Sequence, residues 1–224
     1  MDGILVVDKP QGPTSHDIVD LIRKRFGLKK VGHAGTLDPM ATGVLVVLIG
    51  KYTKSSDLFL RDDKEYDATL FLGAVSDTGD AWGRVEKIAG TENIGAKNIE
   101  EAFNKFTGEI EQVPPSYSAV KFKGKKLYEL ARKGINVKVE PRKVLIKELK
   151  ITGINMPEVS FIVTCSKGTY IRQLSSDIGS LLGCGAYLSR LRRTRSGKFT
   201  LDGAVTVEEL KKIDNTGVEK RLKL

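Results

Sequence analysis

The sequence predicts an α+β fold: one large, mixed but mostly antiparallel sheet flanked by helices. Three observations predict it. Apolar runs of strand length intermix with stripes of helical spacing, so neither element class dominates. The strand-like runs fall next to one another as hairpin-style pairs, which favours antiparallel neighbours. No fixed-period repeat, low-complexity tract or evident interdomain linker breaks the 224 residues. That length suffices for one large or two small domains with a substantial core.

Residues 4–7 form a short β run that ends at Asp8-Lys9-Pro10 and a Gly12-Pro13 turn. Thr14 or Ser15 then caps a helix with Ile18, Val19, Leu21, Ile22 and Phe26 on one side and Gly27 as its stop. Its end is basic, through Arg23, Lys24 and Arg25 and then Lys29 and Lys30. The stretch Gly32-His33-Ala34-Gly35-Thr36-Leu37-Asp38-Pro39 follows, closed by Ala41-Thr42-Gly43. Glycine permits positive φ and close approach of another molecule, and Pro39 pushes Asp38 out of helical geometry. By its residues alone the stretch reads as a tight loop, either ordinary turn punctuation or a presented carboxylate.

Residues 44–49 are apolar throughout and read as a central strand. Residues 64–72 alternate, with Tyr66, Ala68, Leu70 and Leu72 on one face, and 77–83 is a polar, Gly-rich loop. A helix is expected over 98–106 and ends at Gly108. Residues 121–147 hold ten Lys/Arg against only Glu129 and Glu140, with a short helix over 126–132. Such a run is either a solvated face or, given the interleaved Tyr117, Phe122 and Tyr128, a nucleic-acid grip. Residues 142–154 and 159–165 form a hairpin, and 169–182 a helix with Ile171, Leu174, Ile178, Leu181 and Leu182 in one stripe. A basic strand covers 186–199. Thr206-Val207-Glu208-Glu209 is a capping box for a last helix, and 214–224 is expected to fray.

A net charge of +9 and a pI near 9.4 favour a polyanionic partner, either nucleic acid or an acidic membrane surface. No apolar run approaches the roughly 18 residues of a membrane span, and the N-terminus has no basic leader, so a cytoplasmic protein is expected. Cys165 and Cys184 lack C-x-x-C spacing and read as reduced, buried thiols. Two histidines, His16 and His33, exclude a histidine-rich metal site. Phosphate-binding glycine loops, a G-x-S-x-G elbow and a His-Glu-x-x-His pair are all missing.

The glycine loop closely resembles the catalytic loop of bacterial tRNA pseudouridine-55 synthases. Further matches follow in that family's order: Asp8-Lys9-Pro10 with Gly12-Pro13-Thr14-Ser15-His16, Lys64-Glu65-Tyr66, and Gln112-Val113-Pro114-Pro115 with Ser118-Ala119-Val120-Lys121. The last is Cys165-Ser166-Lys167-Gly168-Thr169-Tyr170-Ile171-Arg172, followed by Leu191-Arg192-Arg193-Thr194. The similarity runs from about residue 4 to 205. It implies the pseudouridine synthase fold and isomerisation of the T-loop uridine (position 55) of tRNA, without cofactor or metal.

On that resemblance Asp38 is the nucleophile, a role that suits a carboxylate because it can also leave. Arg172 pairs with it and keeps it ionised. Tyr66 stacks on the extruded base and assists proton removal, Tyr170 helps seat the uracil, and Leu191 forms apolar wall. His33 braces the space left by base flipping. Lys9 and Pro10 support the floor. Lys121 and the basic residues Lys123, Lys125, Lys126 and Arg132 belong to a thumb-like insertion at 115–147 that closes on the T-arm. Arg190, Arg192, Arg193 and Arg195 meet phosphates from the other side, although on an alternating strand some of them must point inward. The catalytic domain is expected to span 1–213, with 214–224 a tail and no separate C-terminal RNA-binding domain. The expected state is a monomer bound to the tRNA T-arm stem-loop, with no membrane partner. The alternative is a tRNA-binding or RNA-folding chaperone with incidental or lost catalysis. A guide-RNA-dependent pseudouridylase and a DNA-binding module are less favoured.

Overall fold

A computed structural model describes residues 1–135 and 137–223. They form two compact units, Met1–Asp67 with Leu191–Leu224, and Ala68–Arg190. In chain order the first stretch holds β1 (Gly3–Lys9), α1 (Ser15–Arg25), β2 (Val31–Ala34), β3 (Thr42–Ile49), a 3-10 turn Gly50–Ser55, α2 (Ser56–Leu60) and β4 (Lys64–Leu72). The second unit adds β5 (Ala74–Ser76), β6 (Val85–Lys87), α3 (Ala96–Asn104), β7 (Gly108–Gln112), β8 (Lys121–Phe122), β9 (Lys125–Lys126), α4 (Leu127–Ala131), β10 (Arg142–Asn155), β11 (Glu158–Cys165) and α5 (Ile171–Leu181). The chain then runs along β12 (Ala186–Ser196) back into the first unit and finishes with β13 (Phe199–Thr200), β14 (Val205–Thr206), α6 (Val207–Lys212) and α7 (Asn215–Glu219).

Strand order in the first unit is β14-β1-β3-β12, with β2 on β3 and β13 on β12; in the second it is β4-β11-β10-β7. The pairs β1–β14 and β3–β12 are parallel, whereas β1–β3, β2–β3, β10–β11 and β7–β10 are antiparallel. The fold is therefore α+β with a large mixed sheet, as its hairpin-rich pattern predicts. β3 is apolar on both faces because both are covered, one of them by a core of Ile4, Val6, Ala34, Val44, Val46, Leu48 and Phe199. In the second unit Phe103 meets Phe161 edge to face, with ring centroids 5.4 Å apart. Cys165 and Cys184 are both buried and not joined in a disulfide.

Four local expectations differ from the structure. Gly32, His33 and Ala34 belong to strand β2, because Val31 to Ala34 pair with Ile49 to Val46; the loop proper begins at Gly35. Helix α3 starts at Ala96, two residues early, since the Asn98 side chain accepts the Gly95 N–H at 2.9 Å and caps the turn. The basic strand divides at Gly197-Lys198, where Gly197 has φ +57 and the two-residue turn folds Phe199 back onto Ser196. The tail is not frayed over its described length. Asp214 caps α7, Val218 is fully buried, and Lys223 exchanges two backbone hydrogen bonds of 2.8 Å with Ile4.

Candidate active site

In the first unit, buried polar side chains hold the turn that carries Asp38. Ser15, the first residue of α1, is placed by the capping box of Thr14 and Asp17. Its hydroxyl donates to the Leu37 carbonyl at 3.0 Å and accepts the Leu37 N–H at 2.8 Å, satisfying both backbone groups of the residue before Asp38. On the far side, the Pro39 carbonyl accepts from Gly12 N–H at 2.9 Å and from Lys9 Nζ at 3.3 Å. Lys9, fully buried, also donates to the carbonyls of Pro10 (2.9 Å) and Pro13 (2.8 Å). Burial lowers its pKa to about 8, against the opposing pull of the Asp38 charge; Arg193 lowers it further and Asp17 raises it. A hydrogen bond from Ala41 N–H to the Asp38 carbonyl (3.0 Å) closes the turn, and Asp38 itself is half-buried.

Arg193 corrects one expectation. Strand alternation places it on the inward face of β12 with Leu191, and it is 1% exposed. Its Nε donates to the Val44 carbonyl (2.7 Å) and its Nη2 to the Gly35 carbonyl (3.0 Å). It cannot meet phosphate; it holds the entrance of the Asp38 turn. Arg192, half-exposed, pairs with Asp8 at 2.8 Å. Leu191 is buried. Gly43 faces Arg193 in the β3–β12 ladder with φ +98, where a Cβ would collide with the Arg193 backbone, so only glycine fits.

His33 sits on β2. Burial, then Arg193 and His16, lower its pKa, so the ring is neutral near pH 7. Its Nδ1 is buried without a hydrogen-bond partner among the described residues. Tyr66, buried on β4, is set by its two neighbours. Lys64 donates to the carbonyls of Phe59, Leu60 and Asp62, and the Glu65 carboxylate accepts from Thr194 Oγ1 at 2.7 Å and Arg195 Nη2 at 3.4 Å. Pro10 is half-buried beside Lys9.

The second unit carries Arg172, in the first turn of α5 and 4% exposed rather than on the surface. Nη1 donates to the Thr78 carbonyl (2.8 Å), Nη2 to the Tyr117 carbonyl (3.0 Å), and Nε lies 3.8 Å from Asp80 Oδ2. The other Asp80 oxygen accepts from Thr78 Oγ1 (2.8 Å) and Trp82 N–H (3.0 Å). A polar cavity of about 240 Å³ opens beside this guanidinium, lined in part by Ser76, Thr78, Tyr117, Gln173 and Ser176. Tyr170 is the N-cap of α5, and Gln112 fixes it by accepting its N–H (2.8 Å) and donating to its carbonyl (3.1 Å).

Sequence reasoning missed Asp80 and gave Gln112 no role. A carboxylate in a Gly-rich turn looks like any turn former, and only the folded backbone shows that the turn wraps an arginine.

Around 115–147, Lys121, Lys123, Lys125 and Arg132 are exposed and Lys126 half-buried. The β8–β9 hairpin turns at Lys123 (φ +47) and Gly124 (φ +84), while Leu127 and Leu130 are buried anchors. Lys126 and Arg132 both lie over the Tyr128 ring, at 5.5 and 5.4 Å from its centroid. Arg190 is exposed. No helix among the described residues is long and apolar enough to cross a membrane.

Comparison with known proteins follows the same lines. Residues 23–171 match the model of the TruB family pseudouridylate synthase N-terminal domain, and residues 172–223 that of the tRNA pseudouridylate synthase B C-terminal domain. The chain is 50% identical to tRNA pseudouridine synthase B of Protochlamydia amoebophila, over 96% of its own length and 82% of that protein's. It is 49% identical to the Chlamydia pneumoniae protein of that name, over 91% and 86%. Among solved structures it resembles a Cbf5-Nop10-Gar1 complex, with TM-score 0.73 and 35% identity over 94% of this chain and 54% of the matched one. It thus spans about half the length of that structure's chain. With a family model matching most of its length and relatives near 50% identity, the chain belongs to the TruB family of pseudouridylate synthases.

Proposed function

We propose that Asp38 is the nucleophile with which this chain isomerises the T-loop uridine at position 55 of tRNA to pseudouridine. The observation that carries the reading is the immobilised turn: Ser15, Lys9 and Arg193 hold three successive parts of its backbone while the Asp38 side chain is left half-buried. Fixing the backbone around a reacting group supplies orientation before the substrate arrives. In the reaction the N1–C1′ bond breaks, the uracil turns, C5–C1′ forms, and the C5 proton is exchanged for one on N1. The net change is an isomerisation: the C5 proton leaves to solvent and one proton from solvent takes its place on N1. Asp38 provides a negative oxygen that can bond and leave again.

Roles for the remaining residues come from the family resemblance. Arg172 is the guanidinium partner of Asp38, and its own anchoring by Thr78, Tyr117 and Asp80 supports a fixed orientation. Tyr66 and Tyr170 receive the uracil, Leu191 provides apolar wall, and the neutral His33 braces the space left in the T-loop. The insertion over 115–147 closes on the T-arm, with its cations stacked over aromatic rings. The protein acts in the cytoplasm as a monomer.

Asp38→Asn tests this reading. It abolishes tritium release from 5-tritiated uridine in a T-arm hairpin while the hairpin is still bound. Release at more than about one hundredth of the wild-type rate removes Asp38 from the nucleophile's role.

A further inference from the structure

Within the first unit, cations from two distant stretches of chain collect at one place. Helix α1 ends with Arg23, Lys24 and Arg25. Gly27, at φ +64, reverses the backbone so that Leu28 N–H reaches back to the Arg23 carbonyl at 3.0 Å, and Lys29 and Lys30 follow directly. Arg25 Nη2 donates to the carbonyls of Lys211 and Ile213, both at 3.1 Å, and so fastens the end of α6 beside the end of α1. Lys211 and Lys212 form that end. Lys24, Arg25, Lys29, Lys30, Lys211 and Lys212 are all exposed.

Neighbouring carboxylates offset the group only in part, Lys212 being the weaker of two cations that act on Glu209. Asp20 pairs with Arg23 at 2.7 Å. Glu209 is engaged by the Thr206 cap and lies 3.8 Å from Arg221, and Asp214 accepts the Gly217 N–H. Glu208 stands in the first turn of α6, at the opposite end of that helix. Lysines in the last turn of a helix also gain from its dipole, which accounts for Lys24, Lys211 and Lys212 as stabilising residues. It does not account for Lys29 and Lys30, which lie beyond any helix. Lys30 leads straight into β2, and that four-residue strand, about 13 Å long at ~3.3 Å per residue, ends at Gly35 and the Asp38 turn.

We propose that this cluster is a second RNA-binding surface, which grips the phosphate backbone of the same tRNA whose uridine is presented to Asp38. The proposal rests on the reading of the chain as a tRNA isomerase. Only β2 separates Lys30 from the Asp38 turn along the chain, so an RNA seated at that turn has the cluster within its reach. Five flexible ammonium groups around one anchored guanidinium suit a charge-tracking contact rather than base readout.

The test is a quadruple variant, Lys24→Gln, Lys29→Gln, Lys211→Gln and Lys212→Gln, which leaves Arg25 and its two carbonyl bonds in place. Affinity for a full-length tRNA transcript is measured over a KCl series, with a urea midpoint as control for folding. Expected are a roughly 10- to 100-fold weaker Kd near 0.1 M salt and a log–log salt slope smaller by about three, at roughly 0.7–0.9 per lost phosphate contact. The corresponding Lys→Glu variant weakens binding further, and the urea-derived stability falls only by the small helix-dipole contributions lost with Lys24, Lys211 and Lys212. An unchanged Kd and slope overturns the proposal and leaves a solvated face. Weaker binding with an unchanged slope overturns it equally, as a structural disturbance. Hairpin isomerisation by the wild-type protein tests the underlying reading separately, so the two can fail independently.

Discussion

Replacing Ser15 with alanine removes one oxygen and strands two backbone groups. Its hydroxyl is the partner of both the N–H and the carbonyl of Leu37, at 2.8 and 3.0 Å, and Ser15 and Leu37 are 1% and 2% exposed. A buried donor or acceptor left unpaired costs about 1–3 kcal/mol, so with two stranded Ser15→Ala should destabilise the first unit by about 2–6 kcal/mol. Ser175→Ala is the control. That serine is equally buried, but its hydroxyl donates to the Ile171 carbonyl, which already receives the helical N–H of residue 175. Its loss should cost under about 1 kcal/mol. Urea unfolding reads the stability. Single-turnover tritium release reads the position of Asp38, where a shift of about 1 Å costs on the order of 100-fold. If Ser15→Ala unfolds no more easily than Ser175→Ala and turns over at the wild-type rate, Ser15 does not hold the backbone before Asp38.

Two other outcomes follow from the same network. Lys9 titrates at about 8 in the folded protein against 10.5 when exposed. Between those values the unfolded chain binds the extra proton, so stability rises with pH by about 3 kcal/mol; the gain is complete above pH 10.5 and lost as pH falls through about 8. Lys9→Met lacks this rise, so subtracting its urea-derived stability curve from the wild-type curve isolates it; parallel curves refute it. Gly43→Ala forces a Cβ into the Arg193 backbone at φ +98 and should cost more than about 3 kcal/mol, seen as insoluble expression or a collapsed melting temperature.

Much of the fold was legible because its signals are local. The uniform apolar run at 44–49 marked a strand covered on both faces, and Thr14 or Ser15 before a helical stripe announced the start of α1. The Asp38 turn was legible as a place but not as a mechanism. Its supports come from residues 9, 15 and 193, and nothing in a linear reading couples an arginine on a basic strand to a glycine more than 150 positions earlier. Arg193 was misplaced for that reason: alternation says that some arginines of this strand point inward, and only the fold shows that Arg193 is one of them. The docked tail was missed because Lys223 pairs with Ile4, the longest-range bridge in the described chain, while its own composition is polar.

The unit that bears Asp38 is discontinuous in sequence, and this sets an order of assembly on the ribosome. Ala68–Arg190 is a single contiguous stretch and is complete once residue 190 has emerged. The first 67 residues must wait: Arg193, which supports Gly35, and Val205, which pairs with Val7, emerge only after residue 190. Domains form as their chain becomes available, so the piece holding Arg172 matures before the piece holding Asp38. A nascent chain stalled near residue 190 would thus display the finished cradle of Arg172 while the Asp38 turn still lacked its Arg193 support.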